Sequence, residues 1–157
     1  LAEKITKKVF NKENIILRIA NIFGPYRYKK STIEKILYNC IFKKKYKLYN
    51  SRFKRTYLHV NSIAQIIFFL LKKKIYENLI LNIGNPKYIF NFDEINNKIE
   101  KIQKKKLIYK TNEKRVMNFN SICIPKTLEK KFKLKFKNNF DDEIKSLVKY
   151  LKKNEKK

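Results

Sequence analysis

Asn21 and Arg55 are the side chains of this sequence best placed to do chemistry. Asn21 follows directly on an apolar run, Ile15-Ile16-Leu17-Arg18-Ile19-Ala20. In open α/β sheets ligands bind beyond the carboxyl ends of the strands, and an amide there can both donate and accept. The plainer role is a turn residue satisfying its own backbone ahead of Gly24-Pro25. Arg55 lies in Arg52-Phe53-Lys54-Arg55-Thr56, just before another strand-like run. Its guanidinium fork suits a diphosphate, although a solvated arginine in a basic loop is the plainer role here too. His59 is the single histidine and alternates with Leu58 and Val60. It has no triad-like Ser or Asp and no metal-ligand partner at useful spacing, so it reads as structural. Asp141-Asp142-Glu143 reads as the acidic first turn of a helix rather than a catalytic pair. Cys40 and Cys123 sit among apolar neighbours and read as buried thiols.

The elements that must position these residues follow from periodicity. Residues 2–10 place Ala2, Ile5 and Val9 on one helical face. Residues 15–19 have the near-continuous apolar pattern of a strand in a parallel sheet, with Arg18 snorkelling or pairing at its end. Ser31-Thr32-Ile33-Glu34 is a capping box, opening a helix with Ile33, Ile36, Leu37, Cys40 and Ile41 as its stripe. Residues 46–49 and 57–60 are short strands around a polar loop. Asn61 or Ser62 is expected to cap the next helix, whose stripe is Ile63, Ile66, Ile67, Leu70 and Leu71. Residues 79–83 form a second buried strand, closed by Gly84-Asn85-Pro86. Asn91 with Glu94 starts a helix that turns Phe92, Ile95, Ile99 and Ile102 inward. Leu107-Ile108-Tyr109 is a weak strand, and Pro125 suits the first turn of a short helix reaching Phe132. Asn139 or Phe140 begins the last helix, with a frayed end at residues 152–157. Strands alternating with helices place the chain in the α/β class.

A length of 157 residues fits one domain, and 43% hydrophobic residues exclude a disordered composition. The net charge is +27, yet it comes from 35 Lys against 5 Arg spread along the whole chain. Phosphate and base readers lean on Arg. The Lys, Asn and Ile excess therefore reads as compositional drift. No specific nucleic-acid partner is expected, only salt-sensitive, non-specific binding to polyanions. The longest strictly apolar run, residues 66–71, is far too short for a bilayer, so no membrane partner and a cytoplasmic location are expected. The sequence begins with Leu1 and has its single Met at Met117, so a native start is expected to be missing.

Three motifs in order carry a resemblance. They are Leu17-Arg18-Ile19-Ala20-Asn21-Ile22-Phe23-Gly24-Pro25, Arg55-Thr56-Tyr57-Leu58-His59-Val60, and Leu81-Asn82-Ile83-Gly84. Together they resemble the C-terminal half of the NAD-dependent sugar-nucleotide epimerases and dehydratases, the extended short-chain dehydrogenases. The ending, Phe132-Lys133-Leu134-Lys135-Phe136, is similar to the segment before that family's final helix, with Lys133 where glycine is usual.

The resemblance implies the C-terminal portion of a Rossmann-type doubly wound sheet plus a small α+β substrate-binding subdomain. Residues 1–25 and about 60–86 would complete the Rossmann-type domain, and about 26–59 and 87–157 would form the substrate subdomain. It also implies that Asn21, Lys35, Arg55 and Asn82 hold a nucleotide-diphosphate sugar, Arg55 through the phosphates. The family's acidic residues after the arginine are replaced here by Thr56, Asn61 and Ser62. NAD is the implied cofactor of a full-length parent, which often dimerises. The parent would oxidise a sugar at C4 by hydride transfer to NAD, then epimerise it or eliminate water. With only Gly24 and Gly84, no glycine-rich dinucleotide loop is possible in this sequence. Leu1-Ala2-Glu3-Lys4 matches residues just after the family's Tyr-x-x-x-Lys acid/base pair. The N-terminal NAD-binding half is thus absent from this sequence, no catalytic residue is expected in it, and no turnover is expected from the chain alone. Two competing readings are a basic, non-enzymatic RNA- or polyanion-binding module and a non-functional gene fragment.

Overall fold

The apolar run that precedes Asn21 becomes one extended stretch that changes partner half-way. The computed structural model describes residues 2–9, 14–25, 31–49, 52–74, 78–112 and 120–154. Strand β1 (Ile15–Ile19) pairs in parallel with β5 (Leu79–Ile83), Ile15 opposite Leu79 and Ile19 opposite Ile83. Ala20 N–H still bonds Ile83 O at 2.8 Å. The chain then switches: β2 (Asn21–Phe23) pairs in parallel with β4 (Arg55–His59), Asn21 opposite Tyr57. The short β6 (Ile89–Phe90) adds an antiparallel edge to β4. A separate parallel pair joins β3 (Tyr46–Tyr49) to β7 (Tyr109–Asn112). The parallel β1–β5 pair, with helices between its strands, is the α/β arrangement that the periodicity predicts.

Six helices are described: α1 (Ala2–Val9), α2 (Thr32–Ile41), α3 (Val60–Lys72), α4 (Phe92–Gln103), α5 (Lys126–Phe132) and α6 (Phe140–Asn154). Both predicted capping boxes form, at Ser31 with Glu34 and at Asn91 with Glu94. The cap of α3 is not Asn61 or Ser62 but His59, whose Nδ1 accepts from Asn61 N–H at 3.3 Å. Strand β4 runs straight into α3 without a loop, so the last strand residue becomes the cap. Ser62 is instead buried, and its Oγ accepts from Asn138 Nδ2 at 3.1 Å.

The core has two parts. One gathers α2, α4 and α6 around Phe23, Tyr57 and Tyr88; the other packs α3 and α5 on Leu58, Leu81 and Ile83. The α3 stripe is narrower than its sequence suggests. Ile63, Ile66 and Leu70 are buried, whereas Ile67, Phe68 and Leu71 face outward, Leu71 at 72% exposure. Ile5 and Val9 of α1 are exposed as well, while Arg18 pairs with Glu3 through two bonds of 2.7 Å. No helix among the described residues is long and apolar enough to cross a membrane. None of their His, Cys, Asp and Glu side chains form a group of three or more that could hold a metal ion.

Candidate functional site

The switch from β1 to β2 opens a cleft. Its volume is about 280 Å³, and its walls include Asn21, Ser31, Thr32, Arg55, Tyr57 and Phe92. Arg55 and Tyr57 are two apart on β4, so they share a face of the strand. Asn21 is the opposite partner of Tyr57 on β2. The start of α2 supplies Ser31 and Thr32, and the start of α4 supplies Phe92.

Each wall residue is held in place. The Arg55 guanidinium lies over the Phe92 ring, 4.7 Å from its centroid, and Nη1 donates to Phe53 O at 3.0 Å. The ring and the carbonyl fix the fork, and stacking on an aromatic face is a guanidinium speciality. Asn21 Nδ2 donates to Thr56 O at 3.1 Å. The asparagine therefore satisfies the neighbouring strand rather than its own turn. Glu34 does more than cap α2: Gly24 N–H donates to its Oε1 at 2.9 Å, which ties the end of β2 to the helix start.

Tyr57 is the unusual member. It is only 3% exposed, and its Oη has no hydrogen-bond partner among the described residues. Burial pushes its phenol well above the ordinary range, and Arg55 acts weakly the other way. The hydroxyl therefore stays protonated, a neutral donor whose hydrogen bond is unmade. Buried polar groups are nearly always paired, so an orphaned hydroxyl in a cleft wall calls for a partner.

Thr56, which stands where the resemblance implies an acid, has a structural task. It is fully buried, and its Oγ1 accepts from Cys123 N–H at 2.9 Å. Thr56 N–H bonds Ser121 O at 3.0 Å, so this residue pins segment 120–125 along β4. Gly84 makes room for that segment: a Cβ there would lie 2.5 Å from Cys123 O.

A second polar group sits behind the cleft. His59 Nδ1 is 3.8 Å from Glu143 Oε1, and both side chains are buried. Asn138 Nδ2 donates to Glu143 Oε1 at 2.8 Å. Burial raises the Glu143 carboxyl above its usual range, only partly opposed by the hydrogen bond from Asn138 and the nearby Tyr88 hydroxyl. Burial lowers the His59 imidazole. A neutral imidazole that accepts at Nδ1 carries its proton on Nε2. His59 is thus structural, as its strand alternation suggests. Glu143 is more than an acid in a first helical turn, because it faces inward between α6 and β4.

The other two sequence-predicted residues stand apart. Lys35 is exposed on α2 and outside the cleft lining. Asn82 is exposed on β5 opposite Arg18, in the β1–β5 pair rather than beside Arg55. Sequence reasoning passed over Tyr57, Phe92, Ser31 and Thr32 as site residues. The two-residue step from Arg55 was the available signal for Tyr57; Phe92 arrives only through tertiary packing.

The family model for the NAD dependent epimerase/dehydratase family matches residues 1–84, more than half of the chain. The chain belongs to that family. Solved structures share its fold. The dTDP-glucose 4,6-dehydratase of Bacillus anthracis, in complex with NAD, superposes with a TM-score of 0.82 at 23% identity, over 99% of this chain and 50% of that one. The UDP-glucose 4-epimerase of Bifidobacterium longum, in complex with NAD+ and UDP, gives 0.83 at 17% identity, over 98% and 52%. The UDP-glucuronic acid 4-epimerase of Bacillus cereus, in complex with UDP-glucuronic acid and NAD, gives 0.82 at 16%, over 96% and 48%. This chain spans about half the length of these structures. None of the curated proteins matches it.

Proposed function

We propose that this chain is the nucleotide-sugar-binding part of an NAD-dependent epimerase or dehydratase, an isomerase or lyase of cytoplasmic sugar-nucleotide metabolism. The observation that carries the reading is the cleft in which Arg55, Tyr57 and Asn21 converge. Arg55 meets the diphosphate as a fixed fork, and Tyr57 Oη donates the hydrogen bond it does not make among the described residues. Asn21 positions the sugar end. Asn82 and Lys35 are exposed and lie outside this cleft, so the reading assigns them no contact of its own. Three of the related structures named above contain NAD, one also UDP and one UDP-glucuronic acid, which supports a nucleotide-sugar ligand.

NAD supplies the hydride acceptor in the proposed parent. The residues of this chain do not fit its pyrophosphate. A dinucleotide loop needs glycines whose missing Cβ leaves room for a ligand. A Cβ on Gly24 would instead lie 2.5 Å from Val60 Cγ1, and one on Gly84 2.5 Å from Cys123 O. Both glycines close on their own chain, so no redox step falls to these residues. Their part is to bind and orient the nucleotide sugar. A homodimer of the full-length parent belongs to the same proposal.

Titration of the chain with UDP tests this. Charge-assisted bonds contribute about 1.5–3 kcal/mol, so Arg55→Ala weakens UDP binding by about ten- to hundredfold. Arg55→Lys recovers only part of it, because the fork is lost. Unchanged UDP affinity in Arg55→Ala overturns the assignment.

A further inference from the structure

The β3–β7 pair brings together two lysine runs that lie far apart in the sequence, 43–47 and 104–110. Two neighbouring cavities result, of about 210 and 400 Å³. Lys43, Lys44, Lys105 and Lys106 line the first; Lys45, Lys47 and Lys110 line the second. Among the described residues, no Asp, Glu or Arg lines either one. Glu100 is close by, but its Oε1 is occupied by Leu107 N–H at 2.7 Å. Lys47 and Lys110 are direct cross-strand partners. Like charges opposite each other destabilise a sheet, and no ion pair with a described residue offsets them.

We propose that this lysine face seats the chain on a bilayer surface bearing anionic phospholipid headgroups. Three observations favour lipid over nucleic acid. Among the described residues the charges are ammonium groups alone, which attract headgroup phosphates as points and offer no bidentate base readout. The aromatic rings are spent: Tyr46 and Tyr109 stack on each other at 5.6 Å and 27°, and Tyr46 Oη donates to Asn96 Oδ1. Bases therefore find no free stacking platform. Ile108, common to both cavities, is 57% exposed in the middle of the lysines. An apolar side chain ringed by cations matches the boundary between headgroups and acyl chains. The face shares no residue with the Arg55 cleft.

Flotation with phosphatidylcholine vesicles, with and without phosphatidylserine, tests the proposal at physiological salt. Binding is expected only with phosphatidylserine. Each lysine at an anionic surface contributes about fivefold. Lys47→Glu with Lys110→Glu should therefore lose about thirtyfold or more. Lys72→Glu with Lys73→Glu, the same charge change at the end of α3, should lose only a few-fold. Ile108→Asn should weaken vesicle binding and leave binding to a single-stranded RNA unchanged. Equal losses in the two charge-reversed pairs overturn the proposal in favour of net charge alone. An Ile108→Asn protein with undiminished vesicle binding, or tighter binding to RNA that needs Lys47 and Lys110, overturns it in favour of nucleic acid. Circular dichroism verifies folding, and the matching Lys→Gln pairs make the same comparison if a reversed pair unfolds.

Discussion

Tyr57→Phe should make the free chain more stable and the liganded chain weaker. Tyr57 is 3% exposed and its Oη has no partner among the described residues. A buried polar group without a hydrogen bond costs about 1–3 kcal/mol, and phenylalanine removes it while filling the same space. For a chain of this size each kcal/mol moves the melting temperature by about 2–4 °C. The variant should thus melt roughly 2–12 °C higher without ligand. In the complex the hydroxyl donates to a charged oxygen, a bond of about 1.5–3 kcal/mol, so UDP binding should fall by about ten- to hundredfold. Scanning calorimetry gives the first quantity and isothermal titration the second. The opposite signs are the diagnostic. A hydroxyl that served no ligand would leave UDP affinity unchanged on substitution whatever the melt does, and unchanged affinity or a lower melting temperature refutes the reasoning.

Glu143 gives a pH signature. Its carboxyl is raised by burial above the ordinary 4.5, so the folded chain holds this proton more tightly than the unfolded chain. Its stabilisation is complete below about pH 4.5 and is lost as pH rises through the folded value. The lowered His59 acts oppositely, its contribution complete above 6.5 and lost as pH falls. Glu143→Gln should flatten the decline from pH 4.5 upward in melts compared with the unsubstituted chain, and parallel profiles would rule it out. Gly84→Ala should cost about 1–3 kcal/mol, seen as a lower urea midpoint, because the new methyl meets Cys123 O at 2.5 Å and Thr56 Cγ2 at 2.7 Å. The purified chain should show no NAD-dependent turnover of UDP-glucose; measurable product contradicts the division of labour proposed above.

Features that depend on a few neighbouring residues were legible in the sequence. The capping boxes at Ser31 and Asn91 are four-residue patterns and form as read. Residues 15–19 and 79–83 announced a parallel pair through their apolar runs. Asn21 and Arg55 were picked out as polar residues at strand ends, and both reach the cleft. Contacts decided at a distance were not legible. Glu143 reads as one of three acids in a first turn, and only the docking of α6 against β4 turns it inward. The α3 cap moved to His59 because no sequence signal says that a strand will run into a helix without a loop. The lysine face exists only once residue 46 has found residue 109.

The strand that changes partner at Ala20 also orders events in time. Asn21 meets Tyr57 across 36 residues, whereas Ile15 waits for Leu79 and Tyr46 for Tyr109, more than 60 residues later in each case. Closing a longer loop costs more chain entropy, and distant pairings slow folding. During synthesis the β2–β4 half of the sheet has its full complement of residues first, and with it the cleft's central strand. The outer edges of β1 and β3 stand open while the ribosome adds the rest. Unpaired apolar edges are where nascent chains stick to one another. For this chain, the ligand-binding strand is assembled early and the hazard falls on the strands that flank it.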